Sequence, residues 1–198
     1  EIIFWLLDSL KISELDNIFI PYNEHLEYFN FSEIIQSKYP KIKLTPIPNT
    51  RGASESILLG LEYFDIEGKV VILDGDTWYN EDILSKIRQV NGNSVLFFES
   101  KNPNPIYSYI QIKDNLITNI KEKVKISNNA NSGCYVFESS EKLKEQILKI
   151  GFESEIELYT SQVIGKMIEG GEKFTPIKVQ DFYVLGTPQQ IIQFSKTY

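Results

Sequence analysis

Two aspartates, Asp74 and Asp76, are separated by one glycine and come directly after the short aliphatic run Val70–Leu73. Residues i and i+2 of an extended chain point to the same side, so both carboxylates can approach one cation. Mg²⁺ suits such a pair because it takes oxygen ligands and commonly binds one or two carboxylates together with substrate phosphates. The motif is short, and a helix cap plus a turn would explain the same residues equally well.

A second polar segment, residues 48–55, runs from a turn into the expected start of a helix and contains Asn49, Arg51 and Gly52. Backbone N–H groups at a helix start are donors for a phosphate or a nucleobase edge, and a glycine lets a planar ligand approach the backbone. An ordinary helix start explains the same segment without a ligand.

Three further segments place polar residues at the ends of expected strands, namely residues 120–123, 131–135 and 185–189. In the first, Lys123 could act as a point charge on a phosphate, although consecutive charges also suit a solvated surface. In the last, Thr187 as N-cap and a proline at the first helical position account for the sequence without any function.

Residues that usually signal other chemistries are poorly placed for them. His25 lies in a polar helix without a Cys or His partner, so we expect it at the surface. Cys134 has no histidine placed to activate it and is better interpreted as a small buried apolar group. The sequence supports neither a zinc site nor a Ser-His-Asp triad.

Composition narrows the class of protein further. The chain has 198 residues and a net charge of −7, and its only arginines are Arg51 and Arg88. Its lysines are spread along the chain, which argues against a nucleic-acid partner because such proteins carry a basic face. A single cysteine rules out an internal disulfide and fits a reducing compartment, so we expect a cytoplasmic protein. No apolar run reaches the ~18 residues of a membrane span, so we expect no membrane partner.

The elements that must position these residues alternate between strand and helix in the first half. The run before Asp74 is typical of a parallel sheet covered by helices, in which ligands bind beyond the carboxyl ends of strands. The second half contains hairpins, with Lys113–Asn115 as a turn. We therefore predict an α/β fold, a single Rossmann-like domain with a mixed, mostly parallel sheet flanked by helices. The predicted helices are 1–10, 23–37, 53–64, 81–90, 141–150, 157–168 and 187–194, and the predicted strands are 18–20, 41–48, 69–73, 95–98, 106–112, 116–120, 135–137, 174–179 and 182–185.

Taken together and in this order, the polar segments resemble the sugar-phosphate nucleotidyltransferase (NTP-transferase) family, which has a GT-A-like fold. The resemblance covers nearly the whole chain. It is carried by Thr50–Ser56, Leu73–Asp76, Tyr107–Ser108 with Ile120–Lys123, Asn131–Tyr135, Glu155–Thr160 and Leu185–Pro188. Each segment is weak alone, whereas the six in sequence order form a more specific signal.

The resemblance implies a role for each candidate residue. Asp76, together with Asp74, would hold Mg²⁺, and the catalytic residues would be Asp76 and Lys123. The nucleotide would be bound by Asn49, Arg51, Gly52 and Asp74. The acceptor would be bound by Tyr107, Glu122, Lys123, Asn131, Gly133 and Glu157. Residues 1–100 would form a nucleotide-binding half and residues 101–198 an acceptor-binding half of one domain.

The chain departs from the family pattern at two places. The family's Gly-rich, Arg-bearing loop and the Lys-Pro segment after it would lie upstream of Glu1, so we expect the protein to extend further N-terminally. Many members have an aspartate just before the closing Gly-Thr as a second metal ligand, and this chain has Leu185 there. Asp181 could substitute for it, or one protein carboxylate could suffice.

The implied reaction joins a nucleoside triphosphate (CTP, dTTP, UTP or GTP) to a phosphorylated small-molecule acceptor and releases pyrophosphate. The acceptor would be a sugar 1-phosphate or a phosphocholine-like ester, and the product a precursor of a cell-surface glycan or capsule. The nucleobase, the acceptor and the oligomeric state stay open. Two alternatives also remain: a GT-A glycosyltransferase that binds a nucleotide-sugar through its Asp-x-Asp, and a non-catalytic nucleotide-binding domain.

Overall fold

The fold is known from a computed structural model, which describes residues 2–14, 16–151 and 157–197. The helices are α1 (Ile2–Ser9), α2 (Phe31–Lys38), α3 (Ala53–Tyr63), α4 (Ile83–Arg88), α5 (Ser140–Ile150), α6 (Thr160–Glu169) and α7 (Pro188–Phe194). The strands are β1 (Phe19–Asn23), β2 (Lys43–Ile47), β3 (Val70–Leu73), β4 (Thr77–Tyr79), β5 (Asn93–Glu99), β6 (Ser108–Lys113), β7 (Leu116–Glu122), β8 (Asn129–Phe137), β9 (Phe174–Lys178) and β10 (Phe182–Val184). Within these ranges no helix is long and apolar enough to cross a membrane.

Strand β8 is the centre of the main sheet. β5 pairs with one of its edges, while β3 and β6 pair with different parts of the other edge. β9 extends the sheet beyond β5, and β7 extends it beyond β6. The carboxyl end of β3 therefore lies beside the middle of β8, where Leu73 is paired with Cys134.

The α/β class is confirmed, but the sheet contains less parallel pairing than predicted. Five of the seven strand pairings among the described residues are antiparallel. β3 and β5 both pair antiparallel with β8, which runs between them. β3 packs against apolar groups on both faces, Val70 and Ile72 on one and Val71 and Leu73 on the other, so its aliphatic sequence could not reveal the direction of its partner strand.

Helices pack on both faces of the main sheet. Tyr135 and Phe137 of β8 belong to a core with α3, α5 and α6, whereas Cys134 and Val136 belong to a core with α1 and α4. Successive residues of a strand point to opposite faces, so this alternation divides the core into two layers. Cys134 is fully buried, and burial raises the pKa of its thiol, which agrees with its interpretation as an apolar packing residue.

Several differences from the sequence prediction have local reasons. β1 continues through Pro21 to Asn23, because among the residues that the structure describes it pairs only with β2, and the missing N–H of a proline is tolerated at an edge. The predicted helix 23–37 is divided at Asn30, whose φ of 53° lies in the left-handed region. β4 was not predicted, since its three residues form a strand only through pairing with β10.

The predicted hairpin turn is confirmed. Asp114 and Asn115 have φ values of 51° and 59° and connect β6 to β7. Two successive positive φ angles are typical of the type I′ turn, which matches the twist of antiparallel strands. The hairpin carries Ser108 and Glu122 opposite each other at its other end. It therefore delivers the predicted acceptor residues to one edge of the sheet.

Candidate active site

Asp74 leaves the sheet at the carboxyl end of β3, next to Gly133 of β8. Its N–H donates to the Gly133 carbonyl oxygen at 2.8 Å. Gly133 has a φ of 82°, and a Cβ atom on this residue would lie 2.7 Å from Asp74 Oδ2. The carboxyl group therefore occupies the space that the missing side chain of Gly133 leaves.

Asp76 lies two residues further along, where β4 and β10 begin to pair. Its carbonyl oxygen accepts the N–H of Leu185 at 2.6 Å. A Cβ atom on Gly186 would lie 2.5 Å from Asp76 Oδ2, so this carboxylate also lies over a glycine. The two aspartates are thus held by segments from two distant parts of the chain, β8 and the loop before α7.

The two carboxyl groups lack compensating partners. Neither side chain accepts a hydrogen bond or forms an ion pair within residues 2–14, 16–151 and 157–197. Burial, then the charges of Asp76 and Glu122, raise the pKa of Asp74 to about 7 from its ordinary value of 3.8. A divalent cation would relieve this repulsion, and a pair of carboxylates is a donor set that Mg²⁺ accepts when phosphates complete its shell. A group of three or more His, Cys, Asp or Glu side chains able to hold a metal is absent from the described part of the chain.

A cavity of about 200 Å³ opens beside Asp74. It is lined by Ala53, Asp74, Ile106, Tyr107, Ser108, Glu122, Asn131, Gly133, Tyr135, Tyr159, Thr160 and Ser161. The lining includes four of the six residues predicted to bind the acceptor, which are Tyr107, Glu122, Asn131 and Gly133. The fold therefore brings the aspartate and most of the predicted acceptor residues to one cavity.

Two helices begin at this cavity. Ala53 is the first residue of α3, and Thr160 is the first residue of α6. The unpaired N–H groups and the positive dipole end at a helix start favour an anionic group. Thr160 Oγ1 is also buried without a hydrogen-bond partner among the described residues. This side of the cavity therefore suits a phosphate, whereas the side formed by Asp74 and Glu122 suits a cation or hydroxyl groups.

Lys123 and Glu157 are joined through Tyr159 at the edge of the cavity. Lys123 Nζ donates to the Tyr159 hydroxyl at 2.9 Å, and that hydroxyl donates to Glu157 Oε2. The Lys123 backbone has a φ of 50°, and its N–H donates to the Tyr107 carbonyl oxygen at 3.0 Å. The hydrogen bond that Lys123 donates to Tyr159 is the main reason why the pKa of Lys123 is raised, so its ammonium group stays charged at neutral pH.

Glu122 and Asn131 are held by the protein itself. Ser161 Oγ donates to Glu122 Oε2 at 2.8 Å. Asn131 Nδ2 donates to the Tyr135 hydroxyl at 2.6 Å, and Asn131 Oδ1 accepts the N–H of Gly133 at 2.9 Å. Asn131 is only 6% exposed. These hydrogen bonds therefore fix the backbone at Gly133, the residue next to Asp74. Asn131 also lines the cavity.

The predicted nucleotide-binding residues lie along the loop between β2 and α3. Asn49 is exposed and accepts a hydrogen bond from Asn23 Nδ2 at 2.6 Å, while Arg51 forms an ion pair with Glu55 at 3.3 Å. Gly52 has a φ of 151°, and a Cβ atom on it would lie 2.8 Å from the Leu158 carbonyl oxygen. The close approach at Gly52 is therefore made by the chain itself rather than by the planar ligand expected from the sequence.

Asp181 lies away from the aspartate pair, contrary to the expectation that it could serve as a metal ligand. β10 and β4 are antiparallel, so Leu185 is opposite Asp76 and Asp181 is opposite Asn80. Asn80 Nδ2 donates to Asp181 Oδ2 at 2.6 Å. Four residues of extended strand span about 13 Å, so a cation on Asp76 is out of reach of Asp181.

Sequence reasoning did not select three residues that the structure places at the site. Tyr159 and Ser161 support Lys123 and Glu122, and their only sequence signal was their position at a helix start beside the acidic segment. The third is Gln190, whose amide oxygen is buried near Asp76. Its sequence context, the first turn of α7, was explained by helix capping alone. Glu155 and Ile156 of the acidic segment lie outside the described residues.

This combination, an α/β domain with aspartates at a strand end next to a cavity at which two helices begin, suits a protein that binds phosphates. The chain matches the family model described as nucleotidyl transferase over residues 2–198. It belongs to the nucleotidyl transferase family. The resemblance inferred from the sequence is thereby confirmed at the level of the family. No curated protein sequence matches the chain.

Solved structures of similar fold agree with this classification. The nucleoside-diphosphate-sugar pyrophosphorylase from Vibrio cholerae RC9 has a TM-score of 0.80 at 16% identity, over 92% of this chain and 81% of that one. A Bacillus anthracis protein assigned as a glucose-1-phosphate thymidylyltransferase has a TM-score of 0.74 at 17% identity, over 98% and 79%. The inositol-1-phosphate CTP transferase from T. maritima has a TM-score of 0.66 at 15% identity, over 82% and 68%. At these identities the likeness concerns the fold.

Proposed function

We propose that this nucleotidyl transferase joins a nucleoside triphosphate to a phosphorylated small molecule, a sugar 1-phosphate or a related phosphate ester, and releases pyrophosphate. The observation that carries this proposal is the position of Asp74, which lies, without a side-chain partner among the described residues, in the wall of the cavity that Glu122 also lines. Asp76 follows two residues along the chain, and Lys123 is bonded to Tyr159, another lining residue. Partly buried carboxylates without a protein partner lower the stability of the fold, and a bound cation with its phosphates would offset that cost.

Asp76 and Asp74 would hold Mg²⁺, which supplies positive charge to the triphosphate and to the pyrophosphate as it leaves. The protein's own contribution is to keep both carboxylates in place without competing donors, which Gly133 and Gly186 permit by leaving space for them. Because neither carboxylate is neutralised by a lysine or arginine in the described residues, both remain free to bind the cation.

Lys123 would hold the acceptor phosphate. Its ammonium group already lies at the edge of the cavity, and only one of its three N–H donors is used by Tyr159, so another can bond a phosphate oxygen of opposite charge. Tyr159 and Glu157 would then orient the ammonium group from behind. Glu122, Tyr107 and the segment of Asn131 and Gly133 would contact the remainder of the acceptor, with Glu122 accepting from its hydroxyl or amino groups.

The chemical step follows from positioning. An oxygen of the acceptor phosphate attacks the α-phosphorus, a new P–O bond forms, and the bond from the α-phosphorus to the bridging oxygen breaks as pyrophosphate leaves. The attacking oxygen is already ionised at neutral pH, so no general base is required, and orientation and charge stabilisation supply the rate. Lys123 would orient the nucleophile, and the starts of α3 and α6 would stabilise charge on the phosphates.

The remaining assignments belong to the same proposal. The loop with Asn49, Arg51 and Gly52 would contact the base and sugar of the nucleotide, and it lies beside the cavity because Ala53 lines it. Residues 1–100 would carry the nucleotide and residues 101–198 the acceptor, within a cytoplasmic enzyme that makes a precursor of a cell-surface glycan or capsule.

The direct test is pyrophosphate release. The protein would be incubated with Mg²⁺ and each of CTP, dTTP, UTP and GTP, alone and with a panel of sugar 1-phosphates, phosphocholine and inositol phosphate. We expect pyrophosphate and a nucleotide-linked product from one nucleotide and one class of acceptor. Transfer from a nucleotide-sugar would support a glycosyltransferase instead, and nucleotide binding without turnover would support a non-catalytic domain.

A further inference from the structure

The side-chain amide of Gln190 carries a buried oxygen that no donor satisfies. Within the described ranges, Gln190 Oε1 is one of four buried side-chain oxygens without a hydrogen-bond partner, and the other three are hydroxyl groups of Ser54, Ser94 and Thr160. A buried polar group left unpaired costs about 1–3 kcal/mol, so it calls for a partner. A hydroxyl can rotate toward a water molecule, whereas an amide oxygen is an acceptor only and needs a donor or a cation.

Gln190 Oε1 lies close to the carboxylate of Asp76. Asp76 Oδ2 and Gln190 Oε1 are 2.5 and 3.9 Å from the point where a Cβ on Gly186 would stand, so the two oxygens are at most about 6.4 Å apart. Mg²⁺ binds oxygens at about 2.1 Å, which places two of its ligands about 3–4.2 Å from each other. A side-chain rotation that brings the two oxygens to this separation would therefore let both bind one cation.

The packing of helix α7 directs this amide toward Asp76 rather than toward solvent. The N–H of Gln190 donates to the N-cap hydroxyl of Thr187 at 3.3 Å, which fixes the first turn of the helix. Phe194, one turn later on the same face, is buried against the rings of Trp5 and Trp78. Because residues i and i+4 share a helix face, this packing turns Gln190 toward β4 and Asp76. The neighbouring Gln189 is exposed.

We propose that Gln190 is a further protein ligand, beside the two aspartates, of the cation that Asp76 binds. The inference rests on the proposed function, because that function supplies the cation. It also explains how the site could work without the carboxylate expected at position 185. The Leu185 side chain is fully buried and apolar, and the residue hydrogen-bonds Asp76 through its backbone N–H. An amide oxygen from the next helical turn would replace the absent carboxylate, so the site would hold its cation with less negative charge.

The test measures binding of Mn²⁺ alone to the folded protein, by electron paramagnetic resonance of the free ion. Gln190→Met removes the amide at nearly constant size and should weaken Mn²⁺ binding by about 10-fold or more. Gln190→Glu should bind Mn²⁺ at least as tightly as wild type. Gln189→Met is the matched control and should bind like wild type. Wild-type affinity in Gln190→Met, or weaker binding in Gln190→Glu, would overturn the proposal.

A second measurement separates a ligand from a residue that only hydrogen-bonds Asp76 through its Nε2. In the Co²⁺-loaded protein, Gln190→His offers the metal a nitrogen in place of an oxygen and should change the visible d–d absorption, whereas Gln189→His should not. An unchanged spectrum in Gln190→His would overturn direct ligation. This pair of variants also decides the matter if Gln190→Met fails to fold.

The proposed cation site can be tested separately from this inference. Asp76→Asn should lose Mn²⁺ binding whichever role Gln190 has. Binding that is lost in Asp76→Asn but unchanged in Gln190→Met would contradict the role of Gln190 and leave the proposed function intact. Binding that is absent in wild type, or unaffected by Asp76→Asn, would contradict the cation site itself and the inference with it.

Discussion

Asp74 shows how the fold can hold a single residue in an electrostatically unfavourable environment. Its carboxyl group is partly buried and lies near the charges of Asp76 and Glu122, and the burial and these charges raise its pKa to about 7. The folded protein therefore retains a proton that the unfolded chain gives up near pH 4. Stability from this group is present below the ordinary value of 3.8 and is lost as the pH rises through 7.

The first prediction concerns this pH dependence. In the metal-free protein, the free energy of unfolding should fall between pH 5 and pH 8, and Asp74→Asn should remove most of that fall because it cannot ionise. At pH 8 the variant should be more stable than wild type by about 1–3 kcal/mol, less than the full shift implies because the side chain is partly exposed. Urea denaturation in EDTA measures this, with Asp114→Asn at the exposed turn as control. Equal pH dependence in Asp74→Asn and wild type would contradict the electrostatic account.

A second residue-scale prediction concerns Lys123. Replacement by Met removes its charge at similar length and should raise KM for the phosphorylated acceptor by about 10- to 100-fold, the range expected for a hydrogen bond to a charged group. KM for the nucleotide should change little. Lys121→Met is the control, because Lys121 is an exposed lysine in β7. Steady-state kinetics in both substrates distinguishes these outcomes, and a loss confined to the nucleotide would assign Lys123 to the triphosphate instead.

At the scale of elements, two glycines decide where the aspartates can stand. Gly133 in β8 and Gly186 before α7 each leave the space that one carboxylate occupies. The position of each aspartate therefore depends on a segment that is distant in sequence. For example, Asp74 follows β3, but the space that its carboxyl group occupies is provided by Gly133 of β8. The strand register, in which Leu73 is opposite Cys134, makes this match.

This dependence gives a prediction with a closely matched control. Gly133→Ala adds a Cβ about 2.7 Å from Asp74 Oδ2 at a φ of 82°, whereas Gly171→Ala adds one at a φ of 94° with no atom within 4 Å. Both variants should lose about 1–2 kcal/mol of stability from left-handed backbone strain. Only Gly133→Ala should displace Asp74 and weaken Mn²⁺ binding. Denaturation and metal titration of both proteins test this, and equal Mn²⁺ affinities would mean that Asp74 does not take part in the cation site.

Elements with a strong local pattern could be predicted from the sequence, and those created by pairing could not. The apolar periodicity of α3 and the Asp114–Asn115 turn carry their own signals. β4 has three residues and exists because β10 pairs with it about 100 positions later in the chain. The same pairing moves Asp181 away from Asp76, so the error over Asp181 and the omission of β4 have one cause.

At the scale of the whole molecule, the protein is acidic, with a net charge of −7, although its proposed substrates are anions. Binding then has to come from local positive potential. Around one cavity the described chain offers Lys123 and the starts of two helices, and a cation held by the aspartates would add to them under the proposed function. We therefore expect affinity for the triphosphate to depend strongly on the divalent cation.

The family and the fold class could be inferred from the sequence because six short segments occur in one order along a single domain. The geometry of the site could not, because it depends on strand register and on which side chains fill the space above glycines. Gln190 illustrates this limit: its sequence context is that of an ordinary capped helix, and only the packing of Phe194 turns it toward Asp76.

The most direct test of the central claim is pyrophosphate release by Asp76→Asn, compared with Asp114→Asn, in the presence of Mg²⁺ and the preferred pair of substrates. Asp76→Asn should lower kcat by roughly 100-fold or more, because it removes a charge that the leaving pyrophosphate requires through its cation. Asp114→Asn should retain wild-type turnover, and both variants should unfold with wild-type cooperativity. Pyrophosphate release by a folded Asp76→Asn protein at the wild-type rate would contradict the account.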